Sequence, residues 1–125
     1  MKLPGPDHPI TIAPANAHVR VSFAGKVIAD TTRALVLKEA SYAPVFYIPR
    51  EDADMSAFTL SEHRTHCPYK GDASHFTLDV AGKRAENAAW SYERPYPAVR
   101  EIEGRLAFYP KRIDQIEVLP PPSSS

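Results

Sequence analysis

Only one cysteine, Cys67, occurs among the 125 residues. An intrachain disulfide and the paired Cys-x-x-Cys knuckles of a structural zinc site both need more thiols, so both are excluded. Neither sign of charge is in excess, because 15 Lys and Arg side chains balance 15 Asp and Glu side chains. A balanced chain has no broad basic field for nucleic acid or an anionic membrane, and we expect neither partner.

Long apolar runs are also missing, and no segment approaches the roughly 18 apolar residues of a membrane helix. The first six residues lack the apolar stretch of a signal peptide, so we expect a soluble, cytoplasmic protein. Thirteen prolines exclude long helices from most of the chain. A hydrophobic content of 43% in 125 residues suits one domain with a single core.

Short apolar segments with alternating polar residues predict a mainly β fold. Val19, Val21 and Phe23 alternate with polar residues before the Ala24-Gly25 turn, which predicts a hairpin. About eight short strands and one or two short helices follow from the whole pattern, and strand-helix alternation is lacking, so the sheets should be antiparallel. We expect an N-terminal arm over residues 1–17, one β-rich domain over 18–118 and a disordered tail over 119–125.

The segment 65–72 has the features most typical of a site. Cys67 precedes Lys70 by three residues in a Pro-x-Lys-Gly turn, and a nearby ammonium favours the thiolate. Cys67 with Lys70 is therefore a candidate catalytic pair, in which the sulfur acts as a nucleophile or redox centre. The alternative is a small buried hydrophobe beside a turn. Gly71 permits close backbone approach, so the turn amides and Lys70 could receive an anionic group.

Two arginines and several aromatic residues are candidates for a ligand pocket. Arg33 and Arg50 each flank an apolar segment, where a guanidinium can contact an anion in bidentate fashion. The alternative for them is a surface salt bridge, with Asp30 or Glu51 as partner. The aromatic candidates, which could equally belong to the core, are Tyr47, Trp90 and Tyr92.

Three histidines lie near Cys67, which raises the question of a metal site. His63, His66 and His75 are close in sequence, but adjacent residues such as His66 and Cys67 rarely point into one coordination sphere. We therefore expect no metal site and no cofactor. A Gly-x-Ser-x-Gly elbow is also lacking, so a serine triad finds no support.

Four blocks of sequence together resemble a known family, the domains of unknown function numbered 427. They are Tyr-Ile-Pro-Arg-Glu-Asp at 47–52, Thr-His-Cys-Pro-Tyr-Lys-Gly-Asp-Ala at 65–73, Ala-Trp-Ser-Tyr at 89–92 and Ala-Phe-Tyr at 107–109. The resemblance runs from about Val19 to Val118. It implies importance for Asp30, Arg33, Tyr47, Pro49, Arg50, Thr65, Cys67, Lys70, Gly71, Trp90 and Tyr92, and not for the three histidines near Cys67.

The family is also similar in architecture to the β-tent group of folds, in which two antiparallel sheets meet at an angle. That group includes methionine sulfoxide reductase B enzymes and the drug-binding domain of cereblon. Many of its members hold structural zinc with four cysteines, which this chain cannot do with Cys67 alone. The resemblance therefore implies a β-tent-like fold without the zinc.

Three functional hypotheses remain open. The leading one is a small-ligand-binding domain for a polar or anionic metabolite, with Thr65, the Cys67–Gly71 turn, Arg33, Arg50 and an aromatic wall. The second is an enzyme in which Cys67 reacts, Lys70 lowers its pKa and turn amides stabilise negative charge. The third is a structural or interaction domain with a rigid corner at this turn. The oligomeric state stays open, with a homodimer through a sheet edge as one expectation.

Overall fold

A computed structural model describes residues 1–121 of the chain. Ten β-strands and four short 3₁₀ helices make up its regular structure. The strands are β1 (Ile10–Pro14), β2 (His18–Phe23), β3 (Lys26–Thr31), β4 (Leu35–Glu39), β5 (Val45–Tyr47), β6 (Phe58–Cys67), β7 (Gly71–Val80), β8 (Lys83–Ser91), β9 (Ala107–Phe108) and β10 (Gln115–Leu119). The 3₁₀ helices are Arg50–Asp52, Met55–Ala57, Pro97–Ile102 and Pro110–Arg112.

The strands form three antiparallel sheets, which confirms the mainly β class. Their strand orders are β1-β4-β5, β10-β2-β3 and β6-β7-β8-β9. The sequence predicted two sheets, whereas β4 and β5 pair with each other and with β1 in a sheet separate from the other two. Ile10–Pro14, expected within the arm, pairs with β4 as an edge strand. An edge strand tolerates Pro14 because its missing N–H is not needed by a second neighbour.

Other local predictions agree closely with the structure. The hairpin of β2 and β3 turns at Ala24-Gly25, where both residues have positive φ. In the helix Pro97–Ile102 the inward residues are Val99 and Ile102, both fully buried. The predicted tail begins at the last residue of β10, and residues 122–125 lie outside the described part of the chain. No helix within residues 1–121 is long and apolar enough to cross a lipid bilayer.

Two hydrophobic clusters hold the sheets together. The larger one joins β2 and β3 to β7, with Val19, Ile28 and Leu78 almost fully buried. The smaller one lies around β4, β5 and the helix Pro97–Ile102. Strand β9 contributes to both, because Phe108 belongs to the first cluster and its neighbour Ala107 to the second. Alternate side chains of a strand point to opposite faces, so both faces of this sheet are covered.

Strand β6 reaches into the segment 65–72 that the sequence singled out. Its ten residues end at Cys67, and β7 begins at Gly71. Cys67 is therefore the last residue of a strand, paired with Gly71, and the turn itself is Pro68-Tyr69-Lys70. This hairpin end brings the predicted turn next to β4 and β5, where the cavity described below is found.

Candidate functional site

A cavity of about 170 Å³ lies beside the smaller hydrophobic cluster. It is enclosed by β4 and β5 on one side and by β6, β7 and β8 on the other. Twelve residues line it, and they are mostly aromatic or aliphatic, with one acidic and one basic side chain. They are Leu37, Glu39, Tyr42, Ala43, Val45, Tyr47, Thr65, Lys70, Ala73, Trp90, Tyr92 and Tyr109.

Trp90 is at the centre of the aromatic wall. Its ring centroid is 4.5 Å from that of Tyr109, and it meets the Tyr47 ring edge-on at 6.4 Å. The indole Nε1–H donates a hydrogen bond to the Tyr47 hydroxyl at 3.4 Å. Contacts of this kind restrain the rings, so the packing of the protein itself holds the aromatic wall in one arrangement.

The two buried phenols of the wall stay protonated at neutral pH. Burial raises the pKa of Tyr47 above its ordinary value of 10, and the hydrogen bond from Trp90 only partly opposes this. Burial raises the pKa of Tyr92 in the same way. Both hydroxyls therefore keep their protons and can donate as well as accept hydrogen bonds.

An ion pair between Lys70 and Glu39 forms the polar end of the cavity. The two side chains are only 11% and 12% exposed. The other carboxylate oxygen of Glu39 lies 2.7 Å from His8 Nε2, and the His8 ring stacks on Tyr69. The Lys70 ammonium also lies 5.9 Å from the centroid of the Tyr92 ring.

The ionisation of Glu39 depends on this pair. Burial by itself raises the pKa of Glu39, but the hydrogen bonds with Lys70 and His8 outweigh it and bring the pKa below the ordinary value. Glu39 is therefore a carboxylate at neutral pH. The polar end of the cavity carries both a positive and a negative group, and the pair is electrically neutral.

Cys67 adjoins the cavity without lining it. Its half-buried side chain packs against the smaller hydrophobic cluster. The Lys70 ammonium, expected to act on the thiol, is instead paired with Glu39. The structure thus separates the roles of the predicted catalytic pair, because Lys70 faces the cavity and Cys67 packs beside it.

Gly71 has the closest backbone approach at the turn. Its φ is +108°, which L side chains rarely adopt, and a Cβ there would lie 3.4 Å from the carbonyl oxygen of Arg94. Tyr96 donates its backbone N–H to the Lys70 carbonyl at 3.0 Å, and Lys2 donates to the Pro68 carbonyl at 2.8 Å. The protein's own chain therefore fills the space beside the turn in which the sequence predicted a bound anion.

Arg33 lies on the surface, outside the cavity lining. Its Nε and Nη2 donate to the two carboxylate oxygens of Asp52 at 3.2 and 3.0 Å, and Glu51 lies further away at 3.7 Å. The Thr31 hydroxyl donates to the same carboxylate at 2.7 Å. The bidentate contact expected with a ligand is thus made within the protein, and Asp52 is the main partner.

Arg50 also lies outside the cavity lining. Its Nη2 donates to the carboxylate of Glu93, and its guanidinium lies 5.3 Å from the centroid of the Phe76 ring. The predicted pocket residues therefore divide into two groups. The cavity brings together Tyr47, Thr65, Lys70, Trp90 and Tyr92, with Gly71 in the adjoining turn, whereas Arg33 and Arg50 contact other parts of the protein.

The histidines near Cys67 are dispersed. The His63 ring meets the buried His75 ring at 4.6 Å, whereas His66 Nδ1 pairs with Asp72 at 2.7 Å. Burial lowers the pKa of His75, so the side chain is neutral at pH 7. Within residues 1–121, no group of three or more His, Cys, Asp or Glu side chains is arranged to hold a metal ion.

Comparison with known families agrees with the blocks seen in the sequence. The family model described as Domain of unknown function (DUF427) matches residues 11–119. The chain belongs to the DUF427 family. No curated protein matches the chain.

Seven of the twelve residues that line this DUF427 domain's cavity were not site candidates in the sequence, and Glu39 and Tyr109 are among them. Glu39 is the last residue of β4, where the alternation of Leu35, Leu37 and Glu39 places it on the same face as the buried Leu37. Tyr109 follows directly after β9, and its hydroxyl lies 3.2 Å from Nε2 of His75. The Ala-Phe-Tyr block at 107–109 was the available signal for it.

Proposed function

We propose that this DUF427 domain binds a small, neutral, polar molecule with a planar ring. The observation that carries the proposal is the cavity itself, which has rigid aromatic walls and a buried Lys70–Glu39 ion pair at one end. Small-molecule sites are typically apolar hollows with a few polar groups that fix the orientation of the ligand. The ring would pack against Trp90, and its polar edge would meet the ion pair.

The balance of charge supports a neutral ligand over an anion. Lys70 is the only basic residue of the lining, and Glu39 already neutralises it. Arg33 and Arg50, which would have favoured an anion, are paired with Asp52 and Glu93 outside the cavity. Lys70 has N–H groups and Glu39 has lone pairs to spare, so a neighbouring donor and acceptor on the ligand suit this end.

The volume supports a single-ring ligand. A protein cavity of about 150 Å³ holds one benzene molecule, and this cavity measures about 170 Å³. A planar amide ring such as 2-pyridone has the required size, with an N–H donor beside a carbonyl acceptor. We use it as the probe molecule because its two polar atoms match the polar end of the cavity.

The test is a titration followed by NMR. Trp90 is the only tryptophan, so its indole N–H gives one unambiguous signal from the cavity wall. The probes are 2-pyridone, benzoate, benzylammonium and benzene, which share a ring and differ in polarity and charge. We expect 2-pyridone to shift the Trp90 signal with saturation at the lowest concentration, and benzoate to bind more weakly.

A matched pair of variants locates the binding. Tyr42 lines the cavity and is 67% exposed, so Tyr42→Ala should weaken 2-pyridone binding without unfolding the protein. Tyr96→Ala removes a tyrosine that does not line the cavity and should leave binding unchanged. If none of the four probes shifts the Trp90 signal, the proposal fails. If benzoate binds best, the ligand class is anionic.

A purely structural role for the turn is the strongest competing function. The turn Pro68-Tyr69-Lys70 is tied to the N-terminal segment and to Tyr96 by backbone hydrogen bonds, as a rigid corner would be. This role predicts no response of Trp90 to any of the four probes. A nucleophilic role for Cys67 is less favoured, because the thiol lies outside the cavity lining and Lys70 is paired with Glu39.

We also infer that the ligand is met in the cytoplasm. The lone Cys67 gives the chain no disulfide that would need an oxidising compartment. Fractionation of cells that produce the protein would test this inference. Recovery outside the cytoplasmic fraction would contradict it.

A further inference from the structure

A second hollow is also lined by Trp90 and measures about 140 Å³. We call it the apolar groove. Its eight lining residues carry no charged side chain, and they are Ala43, Pro44, Val45, Phe46, Trp90, Phe108, Pro110 and Ile116. Strand β5 lines both hollows, because Tyr47 borders the cavity and the adjacent Phe46 borders the groove.

The groove and the cavity share part of their walls. Ala43, Val45 and Trp90 line both hollows, so a molecule in one hollow would contact side chains that also line the other. Each hollow alone is smaller than the roughly 300–1,000 Å³ of most small-molecule pockets, and the two volumes together reach the lower end of that range. The two hollows therefore have the size of a single pocket with two parts.

We propose that the cavity and the groove hold one ligand of two parts. Its planar polar head enters the cavity, and an apolar substituent about the size of a phenyl ring lies in the groove. This inference rests on the function proposed above and names the ligand class more closely, as a neutral polar ring that bears an aryl or branched alkyl group. Transfer of an apolar group from water into the uncharged groove is favourable. A polar group would find no charged partner there.

The experiment compares 2-pyridone with its phenyl derivatives substituted at ring position 4, 5 or 6. Each is titrated against the full chain while the Trp90 indole signal is followed. Burial of a phenyl group is strongly favourable, so at least one derivative should bind at least about tenfold more tightly than 2-pyridone. Equal affinity of 2-pyridone and all three derivatives would overturn the inference and leave the proposed function standing.

Two variants show whether the gain comes from the groove. Ile116 and Pro44 line the groove and do not line the cavity. Ile116→Thr and Pro44→Glu should each remove most of the tenfold gain and leave 2-pyridone binding unchanged. Pro44 is exposed, so Pro44→Glu still tests the role of the groove even if Ile116→Thr destabilises its strand. Val118→Thr, on the same strand and outside the groove, is the matched control and should retain the gain.

The outcomes separate the two proposals. If 2-pyridone and its derivatives all fail to bind, the proposed function and the inference both fall. If a derivative binds tightly and both groove variants keep the gain, the substituent lies elsewhere and only the inference falls. If sedimentation shows a dimer that Ile116→Thr dissociates, the groove is covered by a second copy of the chain and the inference is again overturned.

Discussion

Lys70–Glu39 and Arg33–Asp52 are both pairs of a cation and a carboxylate from distant parts of the chain, but they differ in burial. The side chains of Lys70 and Glu39 are 11% and 12% exposed, whereas those of Arg33 and Asp52 are 57% and 23% exposed. The attraction within a buried pair must offset the cost of removing both charges from water, whereas an exposed pair has little effect on stability in either direction. The same kind of pair is therefore a cavity component in one place and a surface clamp in the other.

The two pairs also differ in what remains available to a ligand. Both oxygens of Asp52 accept hydrogen bonds from Arg33, and Thr31 adds a third. The hydrogen bond from Arg33 is the main reason that the pKa of Asp52 lies below its usual value. Both oxygens of Glu39 are likewise engaged, by Lys70 and His8, but Lys70 and Glu39 line the cavity, which Arg33 and Asp52 do not. Burial of both charged side chains thus distinguishes the candidate site from the clamp.

Glu39→Gln should have the largest effect on stability. It leaves the buried Lys70 ammonium without a counter-charge, although the amide oxygen can still accept a hydrogen bond. We expect a loss of about 3 kcal/mol in the free energy of unfolding at pH 7, measured by urea denaturation. Glu101→Gln, at an exposed position, is the control and should change little. A Glu39→Gln variant as stable as the parent would mean that the pair contributes nothing to the fold.

The same variant should alter the dependence of stability on pH. The folded-state pKa of Glu39 lies below its ordinary value of 4.5, so its contribution is fully present above that pH and is lost as the pH falls through the folded-state pKa. Glu39→Gln has no such group, and its stability should fall less steeply below about pH 4.5. Identical acid profiles for the two proteins would contradict this assignment.

Gly71→Ala should have the next largest effect. The added Cβ would occupy a backbone with φ of +108° and lie 3.4 Å from the Arg94 carbonyl oxygen. We expect a loss of about 2 kcal/mol, because L side chains are strained in this region. Gly25→Ala, at a φ of +77° and with open space around it, is the matched control. A larger loss at Gly71 than at Gly25 is expected, because a φ of +108° lies further from the left-handed region that L residues can adopt. A larger loss at Gly25 would contradict this explanation.

Arg33→Ala should have a smaller effect on stability. The Arg33–Asp52 clamp is exposed, and we expect the melting temperature to fall by less than about 5 °C. Binding of 2-pyridone should be unchanged, because Arg33 does not line the cavity. A loss of binding in this variant would show that Arg33 contributes to ligand binding. It would contradict the claim that only the Lys70–Glu39 pair belongs to the candidate site.

Cys67→Ser should leave binding nearly unchanged. The thiol packs beside the cavity and does not line it, so the dissociation constant of 2-pyridone should change by less than about twofold, a difference too small for a lost ligand contact. The same NMR titration checks this. A Cys67→Ser variant that no longer binds would place the thiol at the ligand and revive the nucleophilic hypothesis.

Much of the local structure follows from the sequence. The alternation of Val19, Val21 and Phe23 predicted the first hairpin, and Ala24-Gly25 was correctly placed at its turn. These features depend on periodicity over a few residues, which sequence reasoning captures well. The strand Ile10–Pro14 was missed because its only partner, β4, lies more than twenty residues along the chain.

The site was harder to predict than the fold. Tyr47, Thr65, Lys70, Trp90 and Tyr92 were identified from residue type and family resemblance, and the structure places all five around one cavity. The partner of Lys70 could not be found, because Glu39 is 31 residues away in sequence. Likewise, the position of Arg33 beside an apolar segment suggested a ligand pocket. Only the tertiary structure shows that its guanidinium already donates hydrogen bonds to Asp52.

Replacement of both charges of the cavity by apolar groups is the most direct test of the account. Buried ion pairs can often be replaced in this way with little or no loss of stability. The double variant Glu39→Leu with Lys70→Met should therefore stay folded by urea denaturation and no longer bind 2-pyridone in the Trp90 titration. A folded double variant that binds 2-pyridone as tightly as the parent would contradict the claim that this ion pair is the polar end of a ligand site.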